Sequence, residues 1–240
     1  MKLFNLDSPL MQALNKVADL LLLNILTLIC CLPVVTIGVS LTAMNYMALK
    51  IVRNEECYII RGFFKSFKEN FRQATLIWLI ILLVIIVLGA DFLILSGDTQ
   101  TGFEKVLWGI VTAVALIVAF TAMYVFPVLA KFDNTVIRTM KNALMMSLMQ
   151  FPRTILMLVA YALPAILFFT VPQVMPLCFL FGLSVPAWIS AKLYNKLFKK
   201  LEDQVLAVSA SKGEEGDAGE DERIFRDELD PALADKDITG

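Results

Sequence analysis

The sequence predicts an all-α, polytopic transmembrane helix bundle of about six crossings, with five as the alternative, carrying two cytoplasmic amphipathic helices and a disordered acidic C-terminal tail. Three observations predict it. Hydrophobic residues make up 58% of the 240 and the mean hydropathy is +0.74, more apolar surface than a soluble chain can bury. Uncharged runs recur at roughly the 18 or more residues that a bilayer crossing needs. Charge is also segregated: residues 1–200 hold 17 Lys and Arg against 9 Asp and Glu, or +8, while residues 201–240 hold 4 against 13, or -9. The expected division is a transmembrane domain over 1–200 and an acidic tail over 201–240, low in hydrophobicity and dense in negative charge.

The first helix is expected near 9–32, with Ser8 as its N-cap and Pro9 at the first helical position, where a missing N–H costs nothing. It is too long for a signal-peptide core and no small-residue cleavage site follows, so it is expected to stay as an anchor. Gln12, Asn15, Lys16 and Asp19 share one face of its first turns, which reads as an interfacial start. No charge then occurs from Leu20 to Leu49. Within that run Pro33 and Gly38 mark a helix break, and a turn there sends a second, short helix back over about 38–53.

Counting cations supports the turn, because Lys and Arg near crossing ends concentrate on the cytoplasmic side. With both termini inside, 16 of the 17 cations of the body, Lys2 and Lys16 among them, fall on the cytoplasmic side and only Lys105 outside; a single crossing in place of the hairpin gives 14 against 3. Further spans are expected near 76–95, 106–129, 154–171 and 174–194. Asp91 lies near the outer end of its span. Asn24, Asn45 and Tyr46 either line a pathway or bond helix to helix, the commoner role. Pro127, Pro164, Pro176 and Pro186 kink helices or mark their ends.

Two basic amphipathic helices follow from periodicity. In 61–72, Phe63, Phe64 and Phe67 join Ile60 and Phe71 in an apolar stripe opposite Arg61, Lys65, Lys68 and Arg72, the pattern of a helix lying in the membrane surface with its phenylalanines as interfacial anchors. In 136–148, Val136, Ile137, Met140, Leu144 and Leu148 are apolar while Arg138 and Lys141 are basic, and Asp133 or Asn134 caps the start. A shift of 81 residues pairs Lys50 with Lys131 and Arg72 with Arg153. It suggests a weak internal duplication, a parallel repeat in this topology.

The order of DSPL at 7–10, LPVVTIG at 32–38, RGFFKSFKENFRQATL at 61–76 and MYVFPVLAKFDNTVIRTMKNAL at 123–144 resembles the YesL-like family of bacterial multi-pass membrane proteins. The resemblance covers about residues 1–200 and leaves out the acidic tail. That family has no settled biochemical activity; its members are commonly encoded beside carbohydrate ABC-importer components and polysaccharide-degrading enzymes. The resemblance therefore implies a sugar-uptake setting in a bacterial cell membrane, not a mechanism.

Chemistry is sparse. The chain has no histidine, which removes His-based general bases, His metal sites and Ser-His-Asp triads. No Walker A sequence occurs, so the chain cannot energise transport with its own ATPase. Ser40, Thr42 and Cys57 have no evident base nearby, and Cys30, Cys31, Cys57 and Cys178 have no metal-type spacing. No enzyme, metal, cofactor or nucleic-acid partner is expected. The leading reading is an accessory or assembly component of a carbohydrate ABC importer, with importer subunits and membrane lipids as partners through Arg61, Lys65, Lys68, Arg72, Arg138 and Lys141. A secondary transporter for a small solute is the alternative, and a lipid-linked enzyme the weakest reading.

Overall fold

The computed structural model describes residues 9–55, 58–95 and 102–213. Ser8, Lys2, Cys57 and the chain beyond Gly213 lie outside the described residues, and with them the expected N-cap and most of the expected tail. Helix α1 is Pro9–Cys31. It ends where Pro33 removes a donor, and a 3₁₀ turn, Val34–Thr36, reverses the chain. The Thr36 hydroxyl donates to the Cys30 carbonyl at 2.7 Å and to that of Pro33 at 2.8 Å, so α1's last carbonyls are not left bare.

Helix α2, Ile37–Arg53, returns through the middle of the molecule against α1. Val39, Ala43, Met44, Met47 and Ala48 are fully buried. Lys50 and Arg53 stand in its last turn, where the helix dipole favours cations, and Asn54 closes it in the left-handed conformation at φ 54°. Gly38 is not a helix breaker. It lies inside the first turn of α2, and a Cβ there would stand 2.5 Å from the Trp78 Cβ and 2.9 Å from the Ala74 carbonyl oxygen, so it permits a close approach between helices.

Helix α3, Ile59–Leu95, corrects a second expectation. Its 37 residues run unbroken, so the basic segment 61–72 is collinear with the span that follows it and is not a separate surface-lying helix. Nothing between Glu69 and Leu76 stops a helix, and about 55 Å of helix exceeds the roughly 30 Å hydrocarbon core. The Trp78 indole N–H donates to the Val34 carbonyl at 2.8 Å, fastening the α1–α2 turn to α3. Helix α4 is Gly102–Lys131, with Pro127 inside it.

Of the two stretches that the 81-residue shift aligns, the second is broken where the first is not. Helix α5 is Val136–Met149 and α6 is Phe151–Thr170, separated by Gln150. Pro152 begins α6; its counterpart under the 81-residue shift is Phe71, inside unbroken α3. One proline, which cannot donate within a helix, thus separates the two outcomes.

The span expected over 174–194 is two helices. After a 3₁₀ turn at Pro172–Val174 come α7, Met175–Phe181, and α8, Ser184–Gly213, meeting at a 50° bend. Helix α8 also runs past residue 200, so Leu201 to Gly213 is helical and the start of the expected tail belongs to the bundle. Among the described residues five helices are long and apolar enough to cross a membrane, and the count reaches six if the bent pair α7 and α8 is one span. A 50° bend leaves α8 advancing in the same sense as α7, whereas a re-entrant loop reverses.

The close approach at Gly38 generates a test. Gly38→Ala forces the α2 and α3 backbones apart and lowers stability by about 1–3 kcal/mol, the usual cost of overpacking. Gly89→Ala, where the added methyl meets nothing within 4 Å, leaves stability unchanged or slightly raised. Thermal unfolding in detergent compares the two; equal melting temperatures would remove the packing role of Gly38.

Candidate functional site

The expected site residues divide between two surfaces. Arg61, Lys65, Lys68 and Arg72 are all exposed along α3. Among the described residues none has an ion-pair partner, and Arg61 lies 5.8 Å from the Tyr58 ring centroid. Arg138 and Lys141 are likewise exposed, on α5. The three phenylalanines separate. Phe64 is 45% exposed, Phe67 packs partly against the core, and Phe63 is fully buried. Phe63 therefore serves protein packing, which corrects its assignment as an interfacial anchor.

The reason lies in the seam that each helix buries. On α3 the buried positions are Ile59, Phe63, Ser66, Asn70, Ala74, Ile77 and Ile81, a three-four spacing that includes two polar residues and so escapes a reading based on apolar period. Asn70 satisfies its own amide, donating to the Ser66 carbonyl at 2.8 Å. On α5 the buried positions are Thr139, Ala143 and Ser147, while Ile137 and Leu148 of the expected apolar stripe are 79% and 59% exposed. Small residues let helices approach closely in apolar surroundings, and the large apolar side chains face outward.

Three charges meet where the ends of α2 and α4 reach α8. Arg53 of α2 donates from both terminal guanidinium nitrogens to Glu202 of α8, at 2.7 and 3.3 Å, and from Nε to the Asn195 side-chain oxygen at 3.0 Å. Lys131, the last residue of α4, stands 3.8 Å from the same carboxylate. All three side chains are under 20% exposed. Above this knot, Phe198 contacts Phe132 and Tyr194, the Tyr194 hydroxyl donates to Asn45 at 3.4 Å, and Tyr161 and Tyr124 face Ser190 and Thr154. This polar column inside an apolar bundle joins α2, α4, α6 and α8.

Glu202 was not among the expected site residues because the acidic tail was taken to begin at 201. One signal was present: Ala187, Ala191, Tyr194 and Phe198 form a buried three-four seam whose next step falls on Leu201 and Glu202. Asn24 takes the second of its two expected roles. Its amide donates to the Phe179 carbonyl at 2.8 Å, and its oxygen accepts from the Leu183 and Ser184 N–H groups at 3.0 Å each. The carbonyl and amides freed by the α7–α8 break are thus satisfied from α1. Groups of three or more candidate metal ligands do not occur among the described residues.

The three-charge knot predicts a coupling. Glu202→Gln leaves two cations facing each other in a poorly hydrated place and costs about 1–3 kcal/mol, between the ranges for exposed and fully buried pairs. Arg53→Gln in the same background restores part of that loss. A double-mutant cycle on unfolding in detergent measures it; strictly additive losses would show that Arg53 and Glu202 do not act together.

Comparison with known proteins gives one partial match. Among curated proteins and solved structures none matches the chain. Residues 20–92, which hold the end of α1, the Pro33 turn, α2 and nearly all of α3, match the model of a family described as a protein of unknown function, DUF624.

Proposed function

We propose that this is a non-enzymatic accessory or assembly component associated with carbohydrate uptake by an ABC importer in a bacterial cell membrane, docking a partner through the cytoplasmic part of α3. The observation that carries the reading is the row Arg61, Lys65 and Lys68, exposed and without ion-pair partners among the described residues. It sits on a helix segment that extends past the apolar run. The sugar-uptake setting comes from the YesL-like resemblance; two of its quoted segments, LPVVTIG and RGFFKSFKENFRQATL, fall inside the stretch that matches the uncharacterised family. The cation count puts this row, the start of α1 and the end of α8 on the cytoplasmic side. Arg138 and Lys141, expected to share the contact, stand on another helix beside an apolar groove and are assigned differently below.

A secondary transporter is the second reading, favoured by the broken α7–α8 span and by the polar column, features that line substrate paths in transporters. The Asn24 bonds weigh against it, since they already saturate the backbone groups that a substrate would use at the break. Uptake of candidate sugars into proteoliposomes separates the two readings: solute accumulation by the purified protein alone establishes the transporter and removes the accessory reading.

The docking reading predicts that importer subunits co-purify with the wild-type protein from its native membrane and that glutamate at Arg61, Lys65 and Lys68 lowers their recovery at least fivefold. The variant's own membrane level serves as the control for folding. Absence of any importer subunit with the wild type, or unchanged recovery with the variant, counts against docking at this face.

A further inference from the structure

An open groove of about 460 Å³ runs between three helices, lined by Ile80 and Val84 of α3, Ile117 and Ala122 of α4, and Met140 and Lys141 of α5. Its size falls within the roughly 300–1,000 Å³ of ordinary small-ligand sites. Its α4 wall, from Ile117 to Val125, is about 12 Å long, so a stretch of acyl chain fits along it. Ile117 and Ile137 of its lining are exposed on the outer surface of the bundle, which gives access from the side, as a lipid would enter.

The charge is at one end. Lys141 lines the groove, with an aliphatic stem that suits an apolar wall and an ammonium that reaches beyond it. Arg138 lies one turn earlier on α5. Arg72 lies on α3 about two turns before Ile80, at the edge of an uncharged run that extends to Ala90. The start of α5 is fastened beside it, since the Gln73 side chain donates to the Asn134 carbonyl. None of the three cations has an ion-pair partner among the described residues. They stand where an apolar groove meets the charged end of the span.

We infer that this groove is a binding site for one anionic phospholipid, with an acyl chain along Ile80, Ile117 and Ala122 and the headgroup phosphate held by Lys141, Arg138 and Arg72. Arg contributes planar donor pairs that match phosphate oxygens, and Lys contributes a point charge. Basic pockets between transmembrane helices on the cytoplasmic side select anionic headgroups for this reason. The assignment does not depend on the importer reading.

Native mass spectrometry of the full-length protein in detergent tests it, using phosphatidylglycerol and phosphatidylcholine with identical acyl chains. The wild type binds phosphatidylglycerol at least fivefold more tightly. Arg138→Gln with Lys141→Gln removes that preference, whereas Lys196→Gln with Lys199→Gln, the same charge loss on exposed positions of α8, keeps it. Ala122→Phe fills the groove and weakens both lipids at least threefold, and the elution volume of each variant on size exclusion reports its folding. Equal binding of the two lipids by the wild type overturns the site, as does an Arg138 and Lys141 variant that keeps the preference. Millimolar inorganic phosphate leaves the bound lipid in place; displacement by phosphate alone would show an anion site without an acyl-chain component and would also overturn it.

Discussion

The rest of the structure depends on one constraint: a backbone N–H or C=O freed by a helix break must find a partner inside the protein when no water is at hand, or cost several kcal/mol. At three of the helix breaks a short polar side chain serves the freed groups. Thr36 donates to the carbonyls of Cys30 and Pro33 at the first turn. Thr154 donates to those of Ser147 and Gln150 at the second. Asn24 bonds one carbonyl and two amides at the third. The breaks set where α2, α6 and α8 begin, and hence which faces meet in the core.

The same economy of polar groups explains the inside-out character of the packing. Within lipid there is little hydrophobic gain from pressing leucines together, so contact is made by residues that allow close approach or hydrogen bonding. Gly38 against Trp78, Gly62 against the Met47 sulfur, and Thr139, Ala143 and Ser147 along α5 are contacts of this kind. Large apolar side chains such as Leu83, Ile86, Leu93 and Phe169 are left on the outside. Many buried hydroxyls bond the carbonyl one turn back, as Thr42 does with Gly38, so a polar interior need not be an aqueous one.

These facts decide what was legible in the sequence. Charge and hydropathy gave the class, the hairpin at Pro33 and the bounds of α1, α2, α4 and α6 to within a few residues, because each rests on a transfer free energy summed over many residues. Which face of an amphipathic segment is buried was not legible in that way. The rule that apolar faces point inward is a rule for water; on α5 it selected Ile137 and Leu148, which point outward, and on α3 it missed the Ser66 and Asn70 seam. The continuity of α3 and the break before α6 were legible in principle, since the difference is Pro152 against Phe71. Glu202 was hidden by composition: an acidic stretch reads as one unit, although the buried period of α8 reaches its first two residues, Leu201 and Glu202.

Aligned by the 81-residue shift, two similar stretches each bring a helix with terminal cations to one face and send another back into the apolar layer. In the first, an unbroken α3 turns Arg61, Lys65 and Lys68 outward, with a fully buried Phe63 holding the segment to the bundle. In the second, Pro152 divides the helix, so α5 packs by its small seam against α4 while its apolar and basic residues line an open groove. A single helix-breaking residue thus turns similar sequence into two surfaces of different chemistry, a row of exposed cations and an apolar groove with a cation in its lining. The knot of Arg53, Lys131 and Glu202 joins the terminal cations of both stretches, through α2 and α4, to one carboxylate of α8.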